Sequence, residues 1–167
     1  MKTQKAFSIL TALFIIIIMS TVGVLVFNLS GNTVRSTTEQ YQKEQAMLLA
    51  KSYTEYAIMA VMSNDRNSTG LDCIEDIDGR IGDDVNNGEG YLIETRIAYI
   101  ADSEIRIVTC SDTRKLNKAG GTFYPVITPE SALNILVDVY VKYKNPDHPD
   151  VSNSPWMTYH RRTLQKI

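Results

Sequence analysis

The chain has 167 residues and a formal net charge of −2, with 17 Lys and Arg against 19 Asp and Glu. That balance excludes the clustered cation excess that a nucleic-acid backbone demands, and the length leaves room for one core rather than two. No nucleic-acid partner is indicated, and the densest basic cluster, His160-Arg161-Arg162, reads as a solvated strand end.

Lys2 and Lys5 stand directly before an apolar run from Phe7 to Phe27. As a helix at ~1.5 Å per residue this run reaches about 31 Å, enough for a bilayer core. Ser8, Thr11, Ser20 and Thr21 are its polar interruptions, and a helix can pass such hydroxyls to carbonyls of the preceding turn. The basic leader points the N-terminus to the cytoplasm and sends the body across the membrane. An ordinary signal peptide has an apolar region of about 7 to 15 residues followed by a small-x-small cleavage site. This run is longer, and Leu29 takes the outer small position.

From residue 28 to 63 the pattern stays helical and turns amphipathic. Tyr41, Gln45, Leu48, Leu49, Ser52, Tyr53, Tyr56, Met59 and Ala60 recur at three- and four-residue steps, so they are expected on the face that another layer covers. Glu39, Gln42, Lys43, Lys51 and Glu55 fall largely opposite. Residues 64 to 90, crowded with Gly, Asn and Asp, read as a long surface connection. Tyr91–Ile100 and Glu104–Cys110 are β-branched and partly alternating, and the intervening Ala101-Asp102-Ser103 suggests a hairpin. A second loop runs from Ser111 to Pro129. Leu133, Ile135, Val137, Val139, Val141 and Tyr143 alternate with mostly polar residues, which predicts a strand buried on one face. Trp156–Leu164 is expected to be the last strand, after a proline-rich loop.

The expected fold is α+β: a long N-terminal helix, transmembrane over 7–27 and amphipathic over 28–63, packed on a roughly four-stranded antiparallel sheet within a β domain of 64–167. In an exported body Cys73 and Cys110 are expected to pair. No His-x-His, HExxH, CxxC or Gly-x-Ser-x-Gly pattern surrounds His148, His160 or the cysteines. Neither an enzyme nor a cofactor is expected. Asp76, Asp78, Asp83 and Asp84 fall in one oxygen-rich loop that could hold calcium. Their spacing fails the EF-hand pattern, and a solvated acidic loop is the plainer reading, so no metal is assigned. Asn67 lies in an Asn-x-Thr acceptor and is a candidate for glycosylation.

The short leader Met1–Ala6, the abrupt Phe7, the apolar run, the continuing amphipathic helix and the C-terminal strands together resemble the type IV pilin and pseudopilin superfamily. The resemblance is architectural over the whole chain, with its sequence match confined to roughly Lys5 to Phe27. It implies a leader of residues 1–6, cleavage by a prepilin peptidase between Ala6 and Phe7, and N-methylation of Phe7. Ala6 stands where the family usually has glycine. Thr11 occupies the position at which most members carry a glutamate that neutralises the amine of an adjacent subunit. Its absence resembles minor members placed at a filament tip. The implied partners are other pilins or pseudopilins through the N-terminal helix, the peptidase and the bacterial inner membrane, with the β domain in the periplasm. A permanently anchored periplasmic binding or adaptor domain is the alternative expectation.

Overall fold

No proline interrupts the first 124 residues, and the first third of the chain forms one helix, α1 (Gln4–Ser63), which continues through Gly31. The computed structural model describes residues 4–64, 73–127 and 133–167, with side chains left out at 4–8 and 32. After α1 come β1 (Asp76–Asp84), β2 (Glu89–Ile100), the short pair β3 (Lys118–Ala119) and β4 (Thr122–Phe123), then β5 (Asn134–Tyr143) and β6 (Met157–Lys166). The chain divides into two compact units, Met1–Gln42 and Lys43–Ile167.

The second unit is an α+β layer pair. A four-stranded antiparallel sheet in the order β1-β2-β5-β6 packs against the α1 residues of the same unit. The core lies between them. Ile135, Val137, Val139, Val141 and Tyr143 of β5 are buried at every second position, with Leu133 just before the strand, as the alternation predicted. Tyr91, Ile93, Thr95, Ile97 and Tyr99 do the same from β2. The two central strands therefore supply the large apolar side chains, and α1 answers with small ones: Ala46, Ala50, Thr54, Ala57 and Val61 are buried along one stripe.

That stripe corrects the expected helix face. Leu48, Tyr56 and Met59 were assigned to the covered side, yet they are 64%, 53% and 61% exposed, and Tyr41 is exposed as well. Close approach between a helix and a sheet already filled by Ile and Val leaves room only for small residues at the contact. Leu49 and Tyr53, at the margin of the stripe, pack on the core as predicted.

Two further expectations are corrected. Residues 76–84 form β1 rather than part of a surface loop. Asp76, Asp78 and Arg80 alternate with Ile77, Gly79 and Ile81, enough for a strand whose backbone is paired on one side by β2. The Asp/Asn/Gly composition belongs to its turn. Asp84 accepts from the amides of Asn86 and Asn87 at 3.2 and 3.3 Å, capping a 3₁₀ turn over Val85–Asn87 that ends at Gly88 with φ 82°. Glu104–Ile107, in turn, is a 3₁₀ helix capped by Ser103, not the second arm of a hairpin. Ile107 is buried and Ile105 is 78% exposed, so this segment has no apolar face of strand period, and β2 pairs with β5 instead.

Candidate assembly surfaces

The first unit presents a long uncharged and mainly apolar surface. From Ile9 to Leu29 the side chains are exposed around the whole circumference, and no charged residue occurs between Lys5 and Arg35. The stretch is long and apolar enough to cross a membrane. Within it Thr21 Oγ1 donates to the Ile18 carbonyl at 2.8 Å, and just beyond it Thr33 Oγ1 donates to that of Leu29 at 2.9 Å, each in the preceding turn. Ala6 and Phe7 lie within α1, and Thr11 sits exposed in the apolar stretch. Asn67 lies outside the described residues.

In the second unit, α1 and the edge strand β1 enclose an open groove of about 820 Å³, lined by Leu48, Ser52, Tyr53, Tyr56, Met59 and Ile77. The misassigned helix residues thus form the wall of a groove. Tyr53 lies over Gly79, and its Cζ is 2.7 Å from where a Cβ would stand, so any larger residue at that point of β1 has to displace the Tyr53 ring.

The opposite, solvent face of the sheet is charged in order. Register places Asp76 opposite Arg96, Arg96 opposite Asp138, and Asp138 opposite Arg162, a row that alternates in sign across all four strands. Arg96 bonds Asp78 at 2.5 Å and approaches Asp76 at 3.4 Å. Arg162 grips Asp138 through Nε and Nη2 at 2.7 and 2.9 Å, and His160 Nε2 reaches the same carboxylate at 2.8 Å. The hydrogen bond from Arg162 holds the Asp138 carboxyl below its ordinary range, with burial opposing and His160 adding to the effect. The same bond raises Arg162, and the bond to Asp78 raises Arg96. His160 also stacks on Tyr140, with ring centroids 4.4 Å apart.

Three of the four acidic side chains weighed for calcium hold other groups. Asp76 meets Arg96 and Arg114, Asp78 meets Arg96, and Asp84 caps its turn. Asp83 contributes its backbone carbonyl to Arg80. Among the described residues no three His, Cys, Asp or Glu side chains gather to hold a metal.

Cys73 and Cys110 form a disulfide, with Cα atoms 4.8 Å apart. Around it Tyr99 Oη donates to the Ile74 carbonyl at 2.5 Å, and Ser111 donates to Glu75 from its amide and, at 2.8 Å, its hydroxyl. Arg114 completes the tie to Asp76 at 2.6 Å. Arg96, Ser111 and Asp138 were not singled out by sequence reasoning. Arg96 and Asp138 are charged residues at outward strand positions, a signal that acquires a partner only once register is known.

Trp156, expected to open the last strand, stands just before β6 and is 41% exposed, with the ammonium of buried Lys144 5.0 Å from its ring centre. Lys144 also donates to the Ser152 carbonyl. His148 is exposed in the adjoining turn. Comparisons of the chain with protein-family models, with characterised proteins and with solved structures find no match.

Proposed function

We propose that the protein is a minor pilin or pseudopilin, a structural subunit of a type II secretion pseudopilus or a type IV pilus. The observation that carries this reading is the uncharged stretch of α1, apolar on every side, directly after Lys5. Such a surface needs cover. The inner membrane supplies it before assembly, and helices of neighbouring pilins supply it in a filament. In this reading the N-terminus is cytoplasmic, the sheet unit is periplasmic, and Phe7 becomes the methylated first residue after the peptidase cuts at Ala6. Thr11 brings no carboxylate to an amine ahead of it, which suits a subunit at the tip or at initiation.

Co-expression with a prepilin peptidase tests the reading by intact mass: loss of Met1–Ala6 and gain of one methyl group are expected. A chain that keeps its leader would instead fit the permanently anchored adaptor. Crosslinks from Ile16 or Val24 then discriminate further, because they capture pilin helices only if the chain joins a filament.

A further inference from the structure

We infer that the two edges of the sheet are complementary docking surfaces, and that β6 of one copy pairs antiparallel with β1 of a second copy. This surface is separate from the apolar helix, and the inference does not depend on the filament role proposed above.

Charge is the first argument. β1 carries Asp76, Asp78, Asp83 and Asp84 against one cation, Arg80, whereas β6 carries His160, Arg161, Arg162 and Lys166 and no acid. The alternating row ends in Asp76 at one edge and Arg162 at the other. Each end already has a partner within its own chain, Arg114 and Arg96 for Asp76 and Asp138 for Arg162, yet their side chains stay 49% and 59% exposed. Setting Arg162 beside Asp76 of the next copy continues the same alternation into a second sheet.

Backbone parity is the second. The Ile97 amide donates to the Glu75 carbonyl, which fixes Glu75, Ile77, Gly79 and Ile81 as the residues whose N–H and C=O face β2. Asp76, Asp78 and Arg80 therefore turn theirs outward. At the other edge the Ile167 amide donates to the Leu133 carbonyl, so Thr158, His160 and Arg162 turn theirs away from β5. Among the described residues no other strand pairs with either edge. Because each neighbouring pair in the sheet is antiparallel, a second copy shifted along the sheet meets β6 with an antiparallel β1.

These constraints select one register. Arg162 stands opposite Asp76, His160 opposite Asp78 and Thr158 opposite Arg80, with outward backbone groups facing each other and all six side chains on the solvent face. On the helix side Tyr159 then falls opposite Gly79 and Met157 opposite Ile81. Both are half-buried at the margin of their own core; Met157 meets the smaller groove that Ile81 lines with Leu48, Leu49 and Tyr91, and Arg161 falls opposite Ile77, which lines the larger groove with Tyr56 and Met59. The contact is heterologous, so it propagates rather than closes. The paired stretch is short beside the roughly 1,200 Å² of a standard stable interface, so association is weak and transient.

Cysteine trapping reads such a contact. Purified full-length Arg80→Cys and Thr158→Cys chains, carrying different tags, are mixed in detergent micelles and oxidised with copper phenanthroline. Mass mapping confirms that Cys73–Cys110 stays intact. The mixed dimer is expected to form at least tenfold faster than either homodimer and than the off-register pair of Arg80→Cys with Leu164→Cys. Asp76→Asn in the first chain, or Arg162→Gln in the second, is expected to slow it several-fold, and so is high salt. Absence of a mixed dimer, equal rates for the homodimers or off-register pair, or indifference to both charge variants would each overturn the inference.

Discussion

Replacing Ala50 by Leu and, separately, Leu48 by Ala tests which way α1 faces. Periodicity alone makes Leu48 the core residue, which predicts about 2–5 kcal/mol for Leu48→Ala and near neutrality for Ala50→Leu between two good helix formers. The structure reverses that ranking. Ala50 has no exposed surface, and its carbonyl accepts Thr54 Oγ1 at 2.7 Å. The added carbons of leucine have to displace α1 from the sheet or adopt a strained rotamer, at a cost of about 1–3 kcal/mol. Leu48 is 64% exposed, so truncation forfeits only the covered part of its surface. At roughly 2–3 kcal/mol for full burial, that loss is about 1 kcal/mol or less. With roughly 3–5 °C per kcal/mol for a unit of this size, Ala50→Leu is expected to lower Tm by about 3–15 °C and Leu48→Ala by under about 5 °C. Near-UV circular dichroism melts of the full chain in detergent micelles measure both. A greater drop for Leu48→Ala would refute the placement of the small-residue stripe against the sheet.

Two other outcomes are expected. The Cys73–Cys110 bridge spans a sequence separation of 37, and closing a loop of that size is worth about 4 kcal/mol in the chain-entropy model. Cys73→Ser with Cys110→Ser, or reduction of the native chain, should therefore lower Tm by well over 10 °C, and a melt indifferent to reductant would contradict it. Asp138 has a depressed carboxyl in the fold, chiefly through Arg162. Its contribution to stability is present above the unfolded value of about 3.9 and is lost as pH falls through the lower folded value. Melts taken from pH 6 down to pH 2 should show Asp138→Asn with a flatter acid limb than the native chain, and identical limbs would remove Asp138 as a source of that slope.

The parts of the fold legible in the sequence were those whose signal is local. The strict alternation from Leu133 to Tyr143 defined β5, and the helix-compatible run without proline defined α1. The buried face of α1 was not legible, because a sheet packed with Ile and Val selects small partners, and alanine carries almost no hydrophobic signal of its own. β1 was hidden for a related reason. An edge strand with two isoleucines among aspartates and glycines resembles a loop in composition, and its stability comes from pairing with β2, which is a long-range fact. The charged row on the solvent face lay in plain view as Asp76, Arg96, Asp138 and Arg162. It became a row only when register brought four distant segments side by side.

Charged residues on exposed edge strands ordinarily keep sheets from joining, and here they do so selectively. Two β6 edges brought together would set cations against cations, and two β1 edges would set aspartates against aspartates except where Arg80 of one copy meets Asp76 of the other, so both symmetric pairings are disfavoured relative to the unlike one. The unlike pairing escapes that penalty. It also matches the outward backbone groups and places half-buried Met157 beside the apolar groove that Ile81 lines with Leu48, Leu49 and Tyr91, and Tyr159 opposite Gly79. The same few residues thus disfavour the closed two-fold dimer that an unprotected edge would permit and leave the head-to-tail arrangement as the one the sheet can accept. An arrangement of that kind has a direction, with an acidic β1 edge left open at one end and a basic β6 edge at the other.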